Sequence, residues 1–323
     1  MPCDLMGLWR RKQGQSSSET AMTKQELAWS LVICGLLMLA WLNMVLAPVA
    51  VAAAGLGQVV FSMEDRAGDD YGAGNITYPL HNVFEPGLFD LRRVHVWYDD
   101  HHLYFDISFA RISNPWNAPE GFFHQLIDIY VDAEPGGYTQ PVAPGPGVQF
   151  SADAGWEYRL RVQPWGGSQW LDARSDPGKA YPVEVLVLPD EKTIRAGVPL
   201  TATDPPHKGW RYYVLVGGFD TFGPDHYRQV KETATQWSFG GGSSADGPHV
   251  IDILDTGSGK RNQKAQLSGK NSSPHGVPVI LPMGPGVSLP FTWGHLLASL
   301  VVLCLLGSIF MYLSCQLPPS QAG

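Results

Sequence analysis

An acidic, glycine-rich segment between Asp65 and Pro79 carries the side chains best suited to bind a metal ion. Asp65, Asp69 and Asp70 fall within six positions and are interleaved with glycines. Glycine readily adopts positive φ, so a tight loop of this composition can turn its carbonyl oxygens toward the carboxylates. Calcium prefers flexible, all-oxygen sites of this kind. The segment therefore predicts a loop that binds a structural calcium ion, with an ordinary solvated turn as the alternative.

Two carboxylates further along the chain are candidates to complete this site. Asp128 and Asp132 lie near the two ends of the segment 127–132, and Asp132 begins a turn, which suits a loop-bound ion better. The aspartates between 65 and 70 lack the alternating ligands and the distal Glu of an EF-hand. The predicted metal ligands are Asp65, Asp69, Asp70 and Asp132.

Tryptophans are the second group of side chains that could bind a ligand. The chain has 11 tryptophans, and Trp116, Trp165 and Trp170 lie in Pro/Gly-rich or polar surroundings typical of loops. Indole rings stack on the apolar C–H faces of sugars, while polar neighbours bind the hydroxyls. These three are candidate carbohydrate-binding residues, although each could instead cover the core, because aromatic side chains bury large areas. Four others lie in or beside strand patterns and are predicted to be buried: Trp97, Trp156, Trp210 and Trp237.

No sequence motif indicates catalysis. The chain has no Gly-x-Ser-x-Gly, no His-Glu-x-x-His and no phosphate-binding Gly-x-x-x-x-Gly-Lys. Glycoside hydrolysis needs a pair of carboxylates flanking the scissile bond. Acidic residues are available, but the sequence gives no reason to pair any two of them: Glu120, Glu157, Asp172 and Asp220. We therefore expect a protein that is not an enzyme.

Composition excludes one class of partner and points to the membrane. The 323 residues include 22 Lys+Arg and 30 Asp+Glu, for a formal net charge of −8. Nucleic-acid binding needs a concentrated basic face, so we expect no nucleic-acid partner. Charged residues make up only 16% of the chain, which is low for a soluble protein. Two long apolar runs near the ends of the chain account for this.

Each apolar run is long enough to cross a hydrocarbon core of about 30 Å. The first, within residues 27–54, follows a basic segment (1–26) and ends in small residues, a pattern shared by a signal peptide and an uncleaved transmembrane helix. The second, 289–313, predicts a transmembrane helix with a short tail, 314–323. Basic residues favour the cytoplasmic side. We therefore expect a cell-membrane protein, in contact with lipid through both helices, whose middle region is extracytoplasmic.

The middle region, residues 56–269, has the pattern of an all-β domain. Leu103, Phe105, Ile107 and Phe109 alternate with polar residues, and a similar segment precedes the turn at 99–101, which predicts a hairpin. The region lacks cysteine, so its stability must come from its core. Many short strands with Gly/Pro turns favour an antiparallel β-sandwich. Gly, Ser and Pro dominate beyond it, so residues 270–288 are predicted to form a stalk.

A set of short motifs occurs in order through this region. They are Gly-Asp-Asp-Tyr-Gly-Ala-Gly with Tyr-Pro (68–79), Phe-Glu-Pro-Gly-Leu-Phe-Asp-Leu (84–91), Asn-Pro-Trp with Gly-Phe (114–122), Ile-Asp-Ile-Tyr-Val-Asp (127–132), Val-Leu-Val-Gly-Gly-Phe-Asp-Thr-Phe-Gly-Pro-Asp (214–225), Arg-Gln-Val (228–230), Trp-Ser-Phe-Gly-Gly-Gly (237–242) and Pro-His-Val-Ile-Asp-Ile-Leu (248–254). Together they resemble the glucodextranase C-terminal domain family, over about Val59 to Gln266.

The resemblance implies a calcium-compatible β-sandwich related to the DOMON and family-9 carbohydrate-binding folds. Such modules accompany secreted or surface-anchored α-glucan hydrolases without being their catalytic part. They are thought to contact carbohydrate or the cell envelope. This chain departs from that setting, because it carries no catalytic domain beside the module and has its own apolar segments. The expected partner is a carbohydrate or a cell-envelope polymer.

Two other functions stay open at this point. Related DOMON domains can hold haem through Met and His, and Met63 and Met283 are the methionines of the exported region. This would make the chain a redox module, although Met283 falls in the predicted stalk. The domain could also be a structural or assembly partner of another membrane protein, with no small ligand.

Overall fold

A computed structural model describes residues 57–175, 177–242, 247–269 and 276–285. All described residues belong to a single compact unit. Both apolar runs, the basic segment and the C-terminal tail lie outside the described residues. Within the described ranges, no helix is long and apolar enough to cross a membrane.

The described residues form mostly short strands. In chain order these are β1 (Gln58–Glu64), β2 (Leu91–Tyr98), β3 (His102–Phe109), β4 (Gln125–Asp132), β5 (Gln149–Phe150), β6 (Tyr158–Val162), β7 (Gln169–Asp172), β8 (Lys179–Pro182), β9 (Glu184–Val187), β10 (Thr193–Pro199), β11 (Arg211–Gly218), β12 (Val250–Ile253) and β13 (Val279–Ile280). One α-helix, α1 (Gln263–Leu267), and three 3-10 turns (Leu200–Ala202, Pro224–His226 and Gly259–Arg261) accompany them.

Two antiparallel sheets contain eleven of these strands. The five-stranded sheet has the order β1-β2-β3-β10-β9, and the six-stranded sheet has the order β12-β11-β4-β6-β7-β8. Each pair of neighbours in both sheets is antiparallel. Strands β5 and β13 form a separate parallel pair. The structure therefore confirms the predicted all-β, antiparallel class.

The predicted hairpin is strands β2 and β3. Burial along β3 alternates residue by residue, because successive side chains of a strand point to opposite faces of the sheet. Tyr98 pairs with Leu103 at the closed end. The carboxylate of Asp99 accepts hydrogen bonds from the N–H groups of His101 and His102, both at 2.8 Å. An aspartate that binds backbone donors two and three residues ahead is a common turn device.

The two sheets share one hydrophobic core. Buried side chains from β2, β3 and β10 of one sheet and from β4, β6 and β11 of the other belong to a single cluster. Aromatic rings of the two sheets are in contact. The ring centroids of Phe61 and Tyr212 lie 4.6 Å apart, and those of Phe105 and Trp170 lie 5.9 Å apart. A second cluster covers the other face of the six-stranded sheet. Strand β4 is consequently buried along its whole length.

Part of the predicted stalk packs against the domain. Strand β13 pairs with β5, and the backbone of Met283 exchanges two hydrogen bonds with Tyr212, at 2.7 and 2.8 Å. The side chain of Met283 is buried in the shared core. Residues 276–285 therefore belong to the domain rather than to a linker. Their Pro- and Gly-rich composition suggested a stalk, but Val279, Ile280 and Met283 supply apolar surface that the domain buries.

Candidate functional site

A compact group of carboxylates brings together residues that are far apart in the sequence. Asp65 follows β1, Asp69 lies in the glycine-rich loop, and Asp252 lies within β12. One carboxylate oxygen of each lies within 4.8 Å of those of the other two. Asp90 and Asp255 are buried near this trio. The charges of both act on Asp69, and the backbone N–H of Asp255 binds Asp65.

Backbone donors satisfy part of this acidic group. Asp252 accepts the N–H groups of Leu91 at 2.8 Å and Ile253 at 2.9 Å. Asp65 Oδ1 accepts the N–H of Asp255 at 3.0 Å. The second oxygen of Asp65 and Oδ1 of Asp69 are buried without a hydrogen-bond partner among the described residues. Two acceptor atoms are therefore left without a donor within the described part of the chain.

Burial makes the negative charge of the group unfavourable. It raises the pKa of Asp69 to about 7, with further increases from Asp255 and Asp90. Burial likewise raises the pKa of Asp65 and of Asp252 well above the usual range. Buried carboxylates require a counter-charge or protonation. Carboxylate oxygens whose lone pairs accept no hydrogen bond suit a hard divalent cation, so the residues of this group fit calcium.

The structure places the four predicted ligands differently. Asp65 and Asp69 belong to the trio, whereas the carboxylate of Asp70 accepts a hydrogen bond from the hydroxyl of Tyr78. Asp132 is not part of the group, and that prediction is wrong. It forms an ion pair with Arg211 at 2.5 Å.

Strand register explains why Asp132 is excluded. Asp132 pairs with Arg211 of β11, and Asp252 pairs with Val216 of the same strand. Five residues of β-strand separate those positions by roughly 16 Å. The member of the acidic group that sequence reasoning missed is Asp252, which lies within strand β12 and carries no loop signature. Asp128 is also unavailable, because both of its oxygens bind Arg161, at 2.7 and 2.9 Å.

An aromatic cleft forms a second candidate site. It has a volume of about 500 Å³. Four of its aromatic side chains are substantially exposed: Trp116 at 40%, Trp165 at 51%, Trp237 at 45% and Phe222 at 96%. The complete lining is Trp116, Phe123, Trp165, Phe219, Asp220, Thr221, Phe222, Arg228 and Trp237. We call this the aromatic cleft.

Trp165 is held in the cleft by a carboxylate from another loop. It lies in the turn between β6 and β7 with φ 63°, a left-handed conformation that is unfavourable for a bulky residue. Glu120 accepts the N–H groups of Trp165 at 3.0 Å and of Gly166 at 2.7 Å. Gln163 Nε2 donates to the carbonyl oxygen of Gly166 at 2.9 Å. These hydrogen bonds offset the cost of the left-handed backbone at Trp165, which leaves the indole exposed.

Trp116 and Trp237 form another part of the lining. Asn114 braces the loop of Trp116 by accepting the N–H of Ala118 at 2.7 Å and donating to its carbonyl at 2.8 Å. The Trp116 ring packs edge-on against Phe123, 4.3 Å between centroids. Trp237 stacks on His81 at 4.3 Å and lies 6.3 Å from Trp116. The two indoles are therefore neighbours across a short gap.

The loop after β11 completes the cleft. Asp220 accepts the N–H of Phe222 at 3.0 Å and forms an ion pair with Arg228 at 3.3 Å. Arg228 also donates to the carbonyl oxygens of Phe219 and Trp237, both at 2.6 Å. Arg228 therefore ties the Phe219–Phe222 loop to the Trp237 loop.

The outcome for the tryptophan predictions is mixed. Trp116 and Trp165 line the cleft, and their predicted role in carbohydrate binding stays a prediction. Trp170 is 0% exposed, stacks on Tyr158 at 5.0 Å and donates Nε1–H to the carbonyl oxygen of Ala202 at 3.0 Å. Trp170 belongs to the core, because its indole points inward while its neighbours in β7 lie on the more exposed face of the strand. Trp237, predicted to be buried, is instead an exposed cleft residue, whereas Trp156 and Trp210 are buried as predicted.

The methionines are packed as core residues. Met63 and Met283 both belong to the cluster shared by the two sheets. A cavity of about 250 Å³ adjoins Met63, and no histidine is among the described residues that line it. This arrangement gives the haem alternative no support, and that alternative stays untested.

Most of the domain matches a known protein family. A family model described as the C-terminal binding-module, SLH-like, of glucodextranase matches residues 60–280. No curated protein matches the chain. The match covers more than half of the chain and confirms the resemblance found in the motifs. This protein therefore belongs to the glucodextranase C-terminal binding-module family.

Proposed function

We propose that the domain is a non-catalytic module that binds a carbohydrate polymer in the aromatic cleft. The observation that carries the proposal is the convergence of three exposed tryptophans and Phe222 from four separate loops around one opening. Exposed apolar side chains of this size are costly in water unless they serve a contact. The family description, a binding module, supports the same class.

The cleft supplies both kinds of contact that a sugar needs. Indole faces can pack on the C–H faces of pyranose rings, and Asp220 and Thr221 offer polar atoms beside them. The loops are braced by Glu120, Asn114 and Arg228 before any ligand arrives. A preformed site loses less entropy on binding.

The proposal extends to placement and to a structural ion. The apolar runs at 27–54 and 289–313 would anchor the chain, with the domain on the extracytoplasmic side as a DOMON-like sandwich. Calcium would be held by Asp65, Asp69 and Asp252, where two buried carboxylate oxygens lack a hydrogen-bond partner among the described residues. Its role would be to join the glycine-rich loop to β12.

Binding to polysaccharides tests the carbohydrate proposal. The full-length protein, in a detergent without a sugar headgroup, is run through native gels containing soluble polysaccharides. Trp116→Ala, Trp165→Ala and Trp237→Ala should each weaken the affinity measured by retardation by about fivefold or more, since an aromatic contact contributes about 1 kcal/mol beyond area burial. Tyr138→Ala is the matched control, because Tyr138 is 53% exposed and is not part of the cleft lining.

Three results would argue against the proposal. Equal binding by the cleft variants and the parent would show that the polymer binds elsewhere. Binding to no polysaccharide, together with co-purification of a stoichiometric membrane protein that the cleft variants lose, would favour the assembly-partner alternative. A Soret band in the purified protein would favour the haem alternative.

A further inference from the structure

The charges at the aromatic cleft narrow the class of polymer. We infer that the cleft takes an uncharged, hydroxyl-rich chain rather than an anionic envelope polymer, and that Asp220 is the residue that makes this selection. The inference rests on the proposed carbohydrate-binding function. It adds the charge of the ligand and a specificity-determining side chain.

The cation of the cleft is not available to an anionic ligand. Among the described residues that line the cleft, the charged side chains are Asp220 and Arg228. The Arg228 side chain is only 8% exposed. Its donors point to the carbonyl oxygens of Phe219 and Trp237 and to Asp220. The Nε–H of Arg228 has no hydrogen-bond partner among the described residues, but it is buried, so an anionic polymer cannot reach it.

Asp220, by contrast, is accessible and has spare acceptor capacity. Its side chain is 24% exposed. One oxygen accepts the N–H of Phe222 and the other faces Arg228 at 3.3 Å. A carboxylate offers about four lone-pair sites, so two remain for ligand donors. Adjacent sugar hydroxyls are donors of the required spacing, and charge-assisted hydrogen bonds of this type are strong.

Glu120, which holds the Trp165 turn, adds a second acidic side chain beside the cleft. The carboxylate of Glu120 lies at the backbone of Trp165 and Gly166. The whole chain has a formal net charge of −8. A field of this sign disfavours the approach of uronate or phosphate polymers and leaves neutral chains unaffected. Charge and hydrogen-bond capacity therefore point to the same ligand class.

The test compares neutral and anionic polymers at two salt concentrations. Full-length protein, in detergent without a sugar headgroup, is titrated with dextran, soluble starch and polygalacturonate in 50 mM and 500 mM NaCl. At least one neutral polymer should bind with an affinity that changes less than twofold with salt, because no ion pair forms with the ligand. Polygalacturonate should not bind at either concentration.

Variants separate the role of Asp220 from a general effect on folding. Asp220→Asn should weaken binding of the neutral polymer by about tenfold. Asp153→Asn, at an exposed position outside the cleft lining, should leave it unchanged. Thr221→Lys adds a cation to the cleft and should create salt-sensitive binding of polygalacturonate. The melting temperature of each variant checks that it is folded.

The outcomes distinguish this inference from the proposed function. Salt-sensitive binding of polygalacturonate by the parent protein, lost in Trp165→Ala, would overturn the inference and leave a carbohydrate-binding cleft in place. Full neutral-polymer binding by a folded Asp220→Asn variant would overturn the role of Asp220. Binding to none of the polymers would overturn the proposed function itself.

Discussion

At the cleft, the side chain of one residue holds the backbone of another in place. Trp165 adopts φ 63°, and the carboxylate of Glu120 holds its N–H at 3.0 Å. Asp220 does the same for Phe222. In both cases an acidic side chain orders the backbone of a loop that displays an aromatic ring. Carboxylates that could suggest catalysis in the sequence therefore act as loop braces in the structure.

His124 is a buried titratable residue beneath the cleft. Its ring lies among Phe84, Trp116 and Phe123, and neither ring nitrogen has a hydrogen-bond partner among the described residues. Burial, together with the positive charge of Arg228, lowers the pKa of His124 to about 4. The folded protein therefore keeps this imidazole neutral where an unfolded chain would protonate it.

This difference predicts a loss of stability in mild acid. The pKa is lower in the folded state than the unfolded value of about 6.5, so between pH 6.5 and 4 the unfolded chain binds a proton that the folded protein does not. The free energy of unfolding should fall by up to about 3 kcal/mol across that interval, relative to a His124→Phe variant. Urea unfolding of both proteins from pH 8 to 4 measures the difference. A gap that does not change with pH would contradict the lowered pKa.

At the scale of elements, a buried ion network attaches the cleft loop to the six-stranded sheet. Arg161 of β6 binds Asp128 of β4 and reaches out to Asp225, at 2.6 and 2.7 Å. Asp225 and His226 both have positive φ, and His226 lies 3.2 Å from Gln163, which supports the Trp165 turn. Two loops that line the cleft are thus anchored to neighbouring points of the sheet.

The network has an inner pair, Arg161 with Asp128, and an outer contact, Arg161 with Asp225. We expect the loss of each to affect stability and binding differently. Arg161→Met leaves Asp128 buried without its counter-charge and should destabilise the protein by about 3–5 kcal/mol. Asp225→Ala keeps the inner pair, so it should cost little stability but weaken polymer binding several-fold. Urea unfolding and gel retardation measure the two effects. Asp190→Ala, in the turn between β9 and β10, serves as a loop control that should not alter binding. Unchanged binding in Asp225→Ala would show that the anchor does not position the cleft.

At the scale of the whole molecule, the acidic group joins distant parts of the chain. The glycine-rich loop, the segment before β2 and the strand β12 meet there through Asp69, Asp90 and Asp252. Carboxylates that repel one another would loosen this junction when ionised. A bound cation would offset this repulsion and hold the glycine-rich loop and β12 together.

Removal of calcium should therefore lower the melting temperature. Calcium at 100 times its Kd adds about 2.7 kcal/mol, which corresponds to roughly 5–10 °C for a domain of this size. Tryptophan fluorescence during heating, with calcium or EDTA, measures the change. Asp252→Asn should remove most of the response, and Asp100→Asn, in the exposed turn between β2 and β3, should retain it. Identical melting of the parent in calcium and EDTA would exclude a structural calcium ion.

Local patterns determined much of this protein. The alternation in β3 predicted its hairpin, and the order of short motifs indicated the family. Loop composition singled out Asp65 and Asp69, which lie in the acidic group, and Trp116 and Trp165, which line the cleft. These features depend on residues that are neighbours in the chain, so a single sequence contains their signal.

Only the tertiary structure decided which distant side chains meet. Asp252 replaces Asp132 in the acidic group because the register of β11 separates the two positions. Trp170 faces the core and Trp237 faces solvent, although their local sequences suggested the reverse. The direction of a side chain depends on the face of the strand it occupies and on what packs there. That information comes from pairing between distant segments, and no local pattern contains it.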